Sequence, residues 1–131
     1  MTIFQVAGRA MSAQLVRMNT TASNLANAGA VATTQDTAYR TMKPVFRTSF
    51  DAASGMSTVD VERVVTAGEA PTKRYDPDNP MADKDGNIFE AAVDETREMV
   101  DMMETARSYQ NNIEVMNTAK SLITETLRLG R

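Results

Sequence analysis

The 131-residue sequence has no cysteine, no histidine and no tryptophan, and only 5% of it is aromatic. Without cysteine, disulfides and thiolate metal sites are excluded. Without histidine, the commonest general base and metal ligand is missing. Few aromatics mean few of the side chains that build a large rigid core, and apolar content rests on Ala, Val and 10 Met. Methionine suits helix seams and adaptable surfaces. No apolar run approaches the 18 or so residues needed to span a bilayer, so no direct membrane insertion is expected. The N-terminus lacks the charged, apolar and small-residue order of a secretory signal, so the protein is expected to be cytosolic or to leave the cell by a route that uses no cleaved signal peptide. A net charge of -3 offers no bulk attraction to nucleic acid.

What is present is organised around the last quarter. From Asp94 to Leu129 two rows run at seven-residue spacing: Met99, Ala106, Ile113, Lys120 and Leu127, with Met102, Tyr109, Met116 and Ile123. Alternating steps of three and four place both rows on one helix face, the pattern of a coiled-coil seam. Asp94 is a suitable N-cap and Gly130 a stop. Acids at the start (Asp94, Glu95, Glu98) and bases at the end (Arg128, Arg131) suit the helix dipole. Such a helix is roughly 50 Å long, more than a small core covers, and needs a second helix beside it.

The first 27 residues supply one. Phe4, Met11, Met18 and Leu25 form a row, with Gly8, Leu15 and Ala22 alongside. Before Asp36 there is no acidic residue, and Arg9 and Arg17 are the sole charged side chains. The remaining positions carry Gln5, Ser12, Gln14, Asn19, Thr20, Ser23 and Asn24. Solvated helix faces usually carry Glu and Lys. Amides and hydroxyls fit a face that is also covered, so this helix is expected to lie between its C-terminal partner and neighbouring subunits. Gly29 is placed to end it in a left-handed C-cap. Asn24 and Asn27, three apart in the last turn, have two readings, local capping or interhelical amide bonds that set register.

The middle changes character. Residues 30–38 are small and polar and read as a connector. Residues 39–50 are strand-prone but contain Pro44, which indicates an edge strand or two short ones. Ser57 to Thr66 reads as a strand, Lys73 to Tyr75 as another, and Asp85-Gly86 as a turn into Ile88 and Phe89. The expected fold is α+β, mostly α. Residues 1–28 and 93–131 are helices paired as an antiparallel coiled coil, with a small antiparallel β domain at 29–92 between them.

Reactive chemistry finds no footing. Placing Gly86 at the sixth position of an EF-hand loop sets Met81 first and Ala92 twelfth, so the end ligands are missing and a solvated turn remains. There is no phosphate loop, nucleophile elbow or basic patch with interleaved aromatics. No catalytic, metal or cofactor-binding residue is assigned, and no cofactor, nucleic acid or small-molecule substrate is expected.

The run Thr20-Thr-Ala-Ser-Asn-Leu-Ala-Asn-Ala28 resembles the Ser-x-x-Asn-Leu-Ala-Asn signature near the N-terminus of bacterial flagellar rod and hook proteins. The run from Glu98 to Lys120 is similar to that family's C-terminal helix. Tyr75-x-Pro-x-Asn-Pro-Met-Ala-Asp83 with Gly86, and Arg107-Ser-Tyr-Gln110, resemble the short subunits of the proximal rod. The likeness covers nearly the whole chain and departs from the commoner pattern at Thr20-Thr21 and Arg131. It implies a structural subunit, not an enzyme, of the rod that crosses the periplasm. It also implies passage through the flagellar type III export apparatus, and partnership with other copies and other rod proteins. Terminal helices in that family line a tube, largely unfolded before assembly, which conducts export and transmits torque. The implied assembly residues are Phe4, Met11, Leu15, Met18, Asn24, Leu25 and Asn27, packing against Met102, Tyr109, Ile113, Met116, Ile123 and Leu127. Other axial subunits of the family are the near alternative. From another class, a soluble helical adaptor or chaperone would share the heptads but predicts ordered, charged outer faces and a stable monomer or closed dimer.

Overall fold

The computed structural model describes residues 1–130; Arg131, assigned above to the basic helix end, lies outside them. Among the described residues the chain forms two helices and two small antiparallel sheets. Helix α1 (Ile3–Ala26) opens on a capping box, in which the Thr2 hydroxyl accepts from the Gln5 amide and the Gln5 side chain from the Thr2 amide. It closes at Asn27, whose backbone and side-chain N–H groups both donate to the Ser23 carbonyl. Gly29 is not left-handed, and the asparagine cap leaves it no such task. Helix α2 (Glu95–Leu129) begins at Asp94, whose carboxylate accepts from the Arg97 amide, and stops at Gly130.

The helices lie antiparallel. Near one end Asn24 bonds Glu98; further along, Arg17 sits 3.5 Å from Asp101 and 3.6 Å from Glu104. At the other end Ile3 shares a groove with Val115, Ala119 and Leu122. α2 therefore runs on past the start of α1 by about ten residues, roughly 15 Å.

Strands β2 (Met42–Asp51) and β3 (Met56–Thr66) form a hairpin packed on α1. Pro44 does not split β2, because a two-stranded sheet has only edge strands, and its pairing slips at a bulge between Val45 and Phe46. The second sheet has order β1-β5-β4, from β1 (Val31–Ala32), β4 (Thr72–Tyr75) and β5 (Asn87–Glu90). The two-residue β1 falls inside the segment expected to be a connector; it is too short to carry a period. Ile88, fully buried, sits in the central strand of this sheet. Gly86 turns the chain into β5 at φ +80°, and a Cβ there would meet Tyr75 at 2.9 Å. The Asp83 carboxylate holds this turn, accepting from the amides of Asp85 and Asn87.

At the hairpin tip Asp51 binds the Ser54 hydroxyl at 2.7 Å, the N-terminal ammonium at 3.1 Å and the Ala53 amide at 3.2 Å. These bonds, the Ser54 one foremost, hold its carboxyl below the ordinary value near 3.8. A depressed folded value contributes stability that is complete above the ordinary one and is lost as pH falls through the folded one. Acid should therefore loosen the tip, and Asp51→Asn should remove that step from an NMR titration of the Ala53 and Ser54 amides.

Candidate assembly interface

α1 has three sides. One lies along α2, and a second meets the hairpin, where Arg9 approaches Asp60 at 3.5 Å and Asn24 bonds Met42. Part of the uncharged surface expected to meet neighbouring subunits is thus covered by the chain's own hairpin. The third side is bare. Gln5, Ser12, Leu15, Asn19, Ala22 and Ala26 are exposed at steps of three, four and seven, without a charge among them. Leu15, placed by its heptad in the intrachain seam, is 43% exposed on this outer side. The row Phe4, Met11, Met18 and Leu25 is half-buried.

On α2 the buried stripe is displaced by one residue from half of the expected seam. Glu98, Thr105 and Ala119 are buried and Asn112 half-buried, running beside half-buried Met102, Tyr109 and Met116. The steps are again four and three, as side-by-side helices require. The row of Met99, Ala106, Ile113, Lys120 and Leu127 turns away from this stripe: Ile113 is 36% and Leu127 69% exposed, so neither is a fully buried seam residue within one chain. Apolar periodicity points to that row because the residues in the inner stripe beside it are a glutamate, a threonine, a half-buried asparagine and an alanine. Within this row Thr105 satisfies its hydroxyl on the Asp101 carbonyl at 2.6 Å.

Past Ala119 only Ile3 of α1 still borders α2, at Leu122 and Ile123. Leu122, Ile123, Leu127 and Leu129 are all exposed, and a groove of about 620 Å³ opens beside them, lined by Ile3, Val115, Thr118, Ala119, Leu122 and Ile123. Met99, Val100 and Met103 form a further exposed apolar patch near the start of α2. Two asparagines in one helical turn separate in role. Asn27 caps locally, whereas Asn24 reaches both α2 and the hairpin, a connection carried by its neighbours' geometry and not legible in its spacing.

Two family models match the two helical ends. Residues 4–31 match the flagella basal body rod protein family, and residues 85–129 the C-terminal family of flagellar basal body rod FlgEFG proteins. The flagellar basal-body rod protein FlgC of Salmonella typhimurium is 45% identical over 133 aligned residues, covering 100% of this chain and 98% of that protein. The chain belongs to the FlgC family of flagellar basal-body rod proteins. FlgC of Escherichia coli O6:H1 is 44% identical over the same spans, and that of Buchnera aphidicola subsp. Acyrthosiphon pisum 38% over 99% of this chain and 97% of the relative. The protein is therefore a structural subunit of the basal-body rod, and the family is not one of enzymes. For such a rod protein, the uncovered side of α1 and the exposed apolar residues of α2 are candidate surfaces for assembly.

Proposed function

We propose that this rod subunit polymerises helically through its terminal helices, paired as an antiparallel coiled coil, with residues 29–92 as an outer β-rich domain. The reading rests on the bare side of α1, where Arg9 beside Gln5 and Ser12 is the one exposed charge, together with the apolar continuation of α2 beyond it. These faces differ in shape and composition, so the contact between subunits is head-to-tail. A contact of that kind does not close on itself, and it propagates as a tube. Leu15 belongs to one face, with Ile113, Ile123 and Leu127 on the other, and Phe4, Met11, Leu25, Met102, Tyr109 and Met116 fix the pair that presents them. In the periplasmic rod the tube passes exported subunits through its centre and carries torque along its wall. Other copies, other rod proteins and the type III export apparatus are the partners.

The absence of native cysteine makes the test direct. Leu15→Cys is combined in turn with Met103→Cys, Ile113→Cys, Leu122→Cys or Leu127→Cys, and basal bodies are oxidised. Covalent adducts between rod subunits in motile cells are expected from at least one pair. Motile cells with no adduct from any pair would remove the head-to-tail contact. Discrete soluble dimers in place of rod adducts would move the adaptor reading ahead.

A further inference from the structure

Asn24 sits where α1, the start of β2 and the first turns of α2 meet, and it is 1% exposed. Its carboxamide is used completely. Nδ2 donates to the Met42 carbonyl at 2.9 Å and to Glu98 Oε2 at 3.1 Å. Oδ1 accepts from the Met42 amide at 2.9 Å and from the Tyr39 hydroxyl at 2.6 Å. Two N–H donors and two lone pairs are all an asparagine has. Toward Met42 the side chain behaves as a strand would, taking the amide and the carbonyl of one residue. Toward α2 it donates to a carboxylate that is itself buried.

Each half of this clasp depends on the other. If α2 leaves α1, Nδ2 loses its charged acceptor and water reaches the amide that holds Met42. If the hairpin base opens, Oδ1 loses its strand partner and the buried Glu98 carboxylate keeps a donor that is no longer held in place. Buried polar groups joined in one network stabilise one another, because a partly satisfied network is costly. We propose that Asn24 is a positioning residue that makes ordering of the base of the β2–β3 hairpin conditional on docking of α2 against α1. The coupling belongs to the single chain and does not depend on how copies assemble.

The test is residue-resolved hydrogen exchange on the full-length chain, across a series from trimethylamine N-oxide to urea. Met42 reports the hairpin base, Thr105 and Ala119 the docked helix, and Ile88 the separate sheet. In the unaltered chain Met42 and Thr105 should lose protection at one midpoint. In Asn24→Ala and Glu98→Ala, protection at Met42 should fall by about tenfold, the scale of one hydrogen bond, and its midpoint should part from that of Thr105. Ile88 should not move, and Glu98→Gln, which keeps an acceptor oxygen, should restore the common midpoint. A merely structural role would lower both midpoints together. If they remain together in both alanine variants, or are already apart in the unaltered chain, the coupling is wrong. Should Asn24→Ala fail to fold, Glu98→Ala and Tyr39→Phe decide the matter, since both leave the amide in place: the first removes its bond to α2, the second the hydroxyl that Asn24 shares with Ser23.

Discussion

Leu15→Glu is expected to abolish rod assembly and motility while leaving the fold of the chain in place. Leu15 lies midway along the bare side of α1, 43% exposed, with Ser12, Asn19 and Ala22 around it and no charge nearby on that side. In the single chain a glutamate there meets water, and the exchange costs only the small difference in helix propensity, a few tenths of a kcal/mol. In the proposed contact the same carboxylate is carried against an apolar surface. An unpaired buried charge costs about 3 kcal/mol or more, which is roughly a hundredfold or greater loss in association. The measurement is swimming and basal-body yield in cells, beside thermal unfolding of the purified chain. Leu15→Ala should be milder, since it removes area without introducing charge. A motile Leu15→Glu strain would show that the bare side is not an interface. A variant that unfolds on its own would show that Leu15 belongs to the intrachain seam, where its heptad placed it.

That heptad illustrates what a sequence can and cannot disclose here. The ends of α2, the hairpin strands and the turn into β5 are legible because local chemistry decides them: Asp94 caps, Gly130 stops, Pro44 tolerates only an edge, and Asp85-Gly86 turns. Which helix face meets which partner is a different kind of fact. Periodicity reports that a face is apolar, and an apolar face is one that something covers, whether the same chain or another. On α2 the row of Ile113 is apolar yet exposed, and the row of Thr105 is polar yet buried. The two differ by a single residue of rotation, about 100° around the axis. The inner row carries a glutamate, a threonine, an asparagine and an alanine, which apolar periodicity does not register. Asn24 escaped for a related reason. Its spacing from Asn27 describes one turn of α1, while its bonds go to Met42 and Glu98, 18 and 74 residues away in the chain.

Ile88→Ala and Ile113→Ala form the pair that tests this placement, and the first should be much the more damaging to the isolated chain. Ile88 is 0% exposed in the central strand of a sheet whose three strands have two, four and four residues. A sheet that small has little backbone pairing to hold it, and its stability depends on side chains packed against it. Truncating a fully buried isoleucine to alanine costs about 2–5 kcal/mol, the transfer of the lost methyl groups plus the cavity they leave. Against a total stability of roughly 5–15 kcal/mol that is a large fraction, and the urea midpoint should fall with the exchange protection of β4 and β5 falling first. Ile113 is 36% exposed, already contacts water, and should cost about 1 kcal/mol or less when truncated in the isolated chain. Its larger effect is expected in the rod, where the proposed contact removes that water. If Ile113→Ala instead lowers the urea midpoint as far as Ile88→Ala does, the inner row of α2 is the one containing Ile113. The helix would then be rotated by one residue from its placement here, and Thr105 in place of Ile113 would face outward.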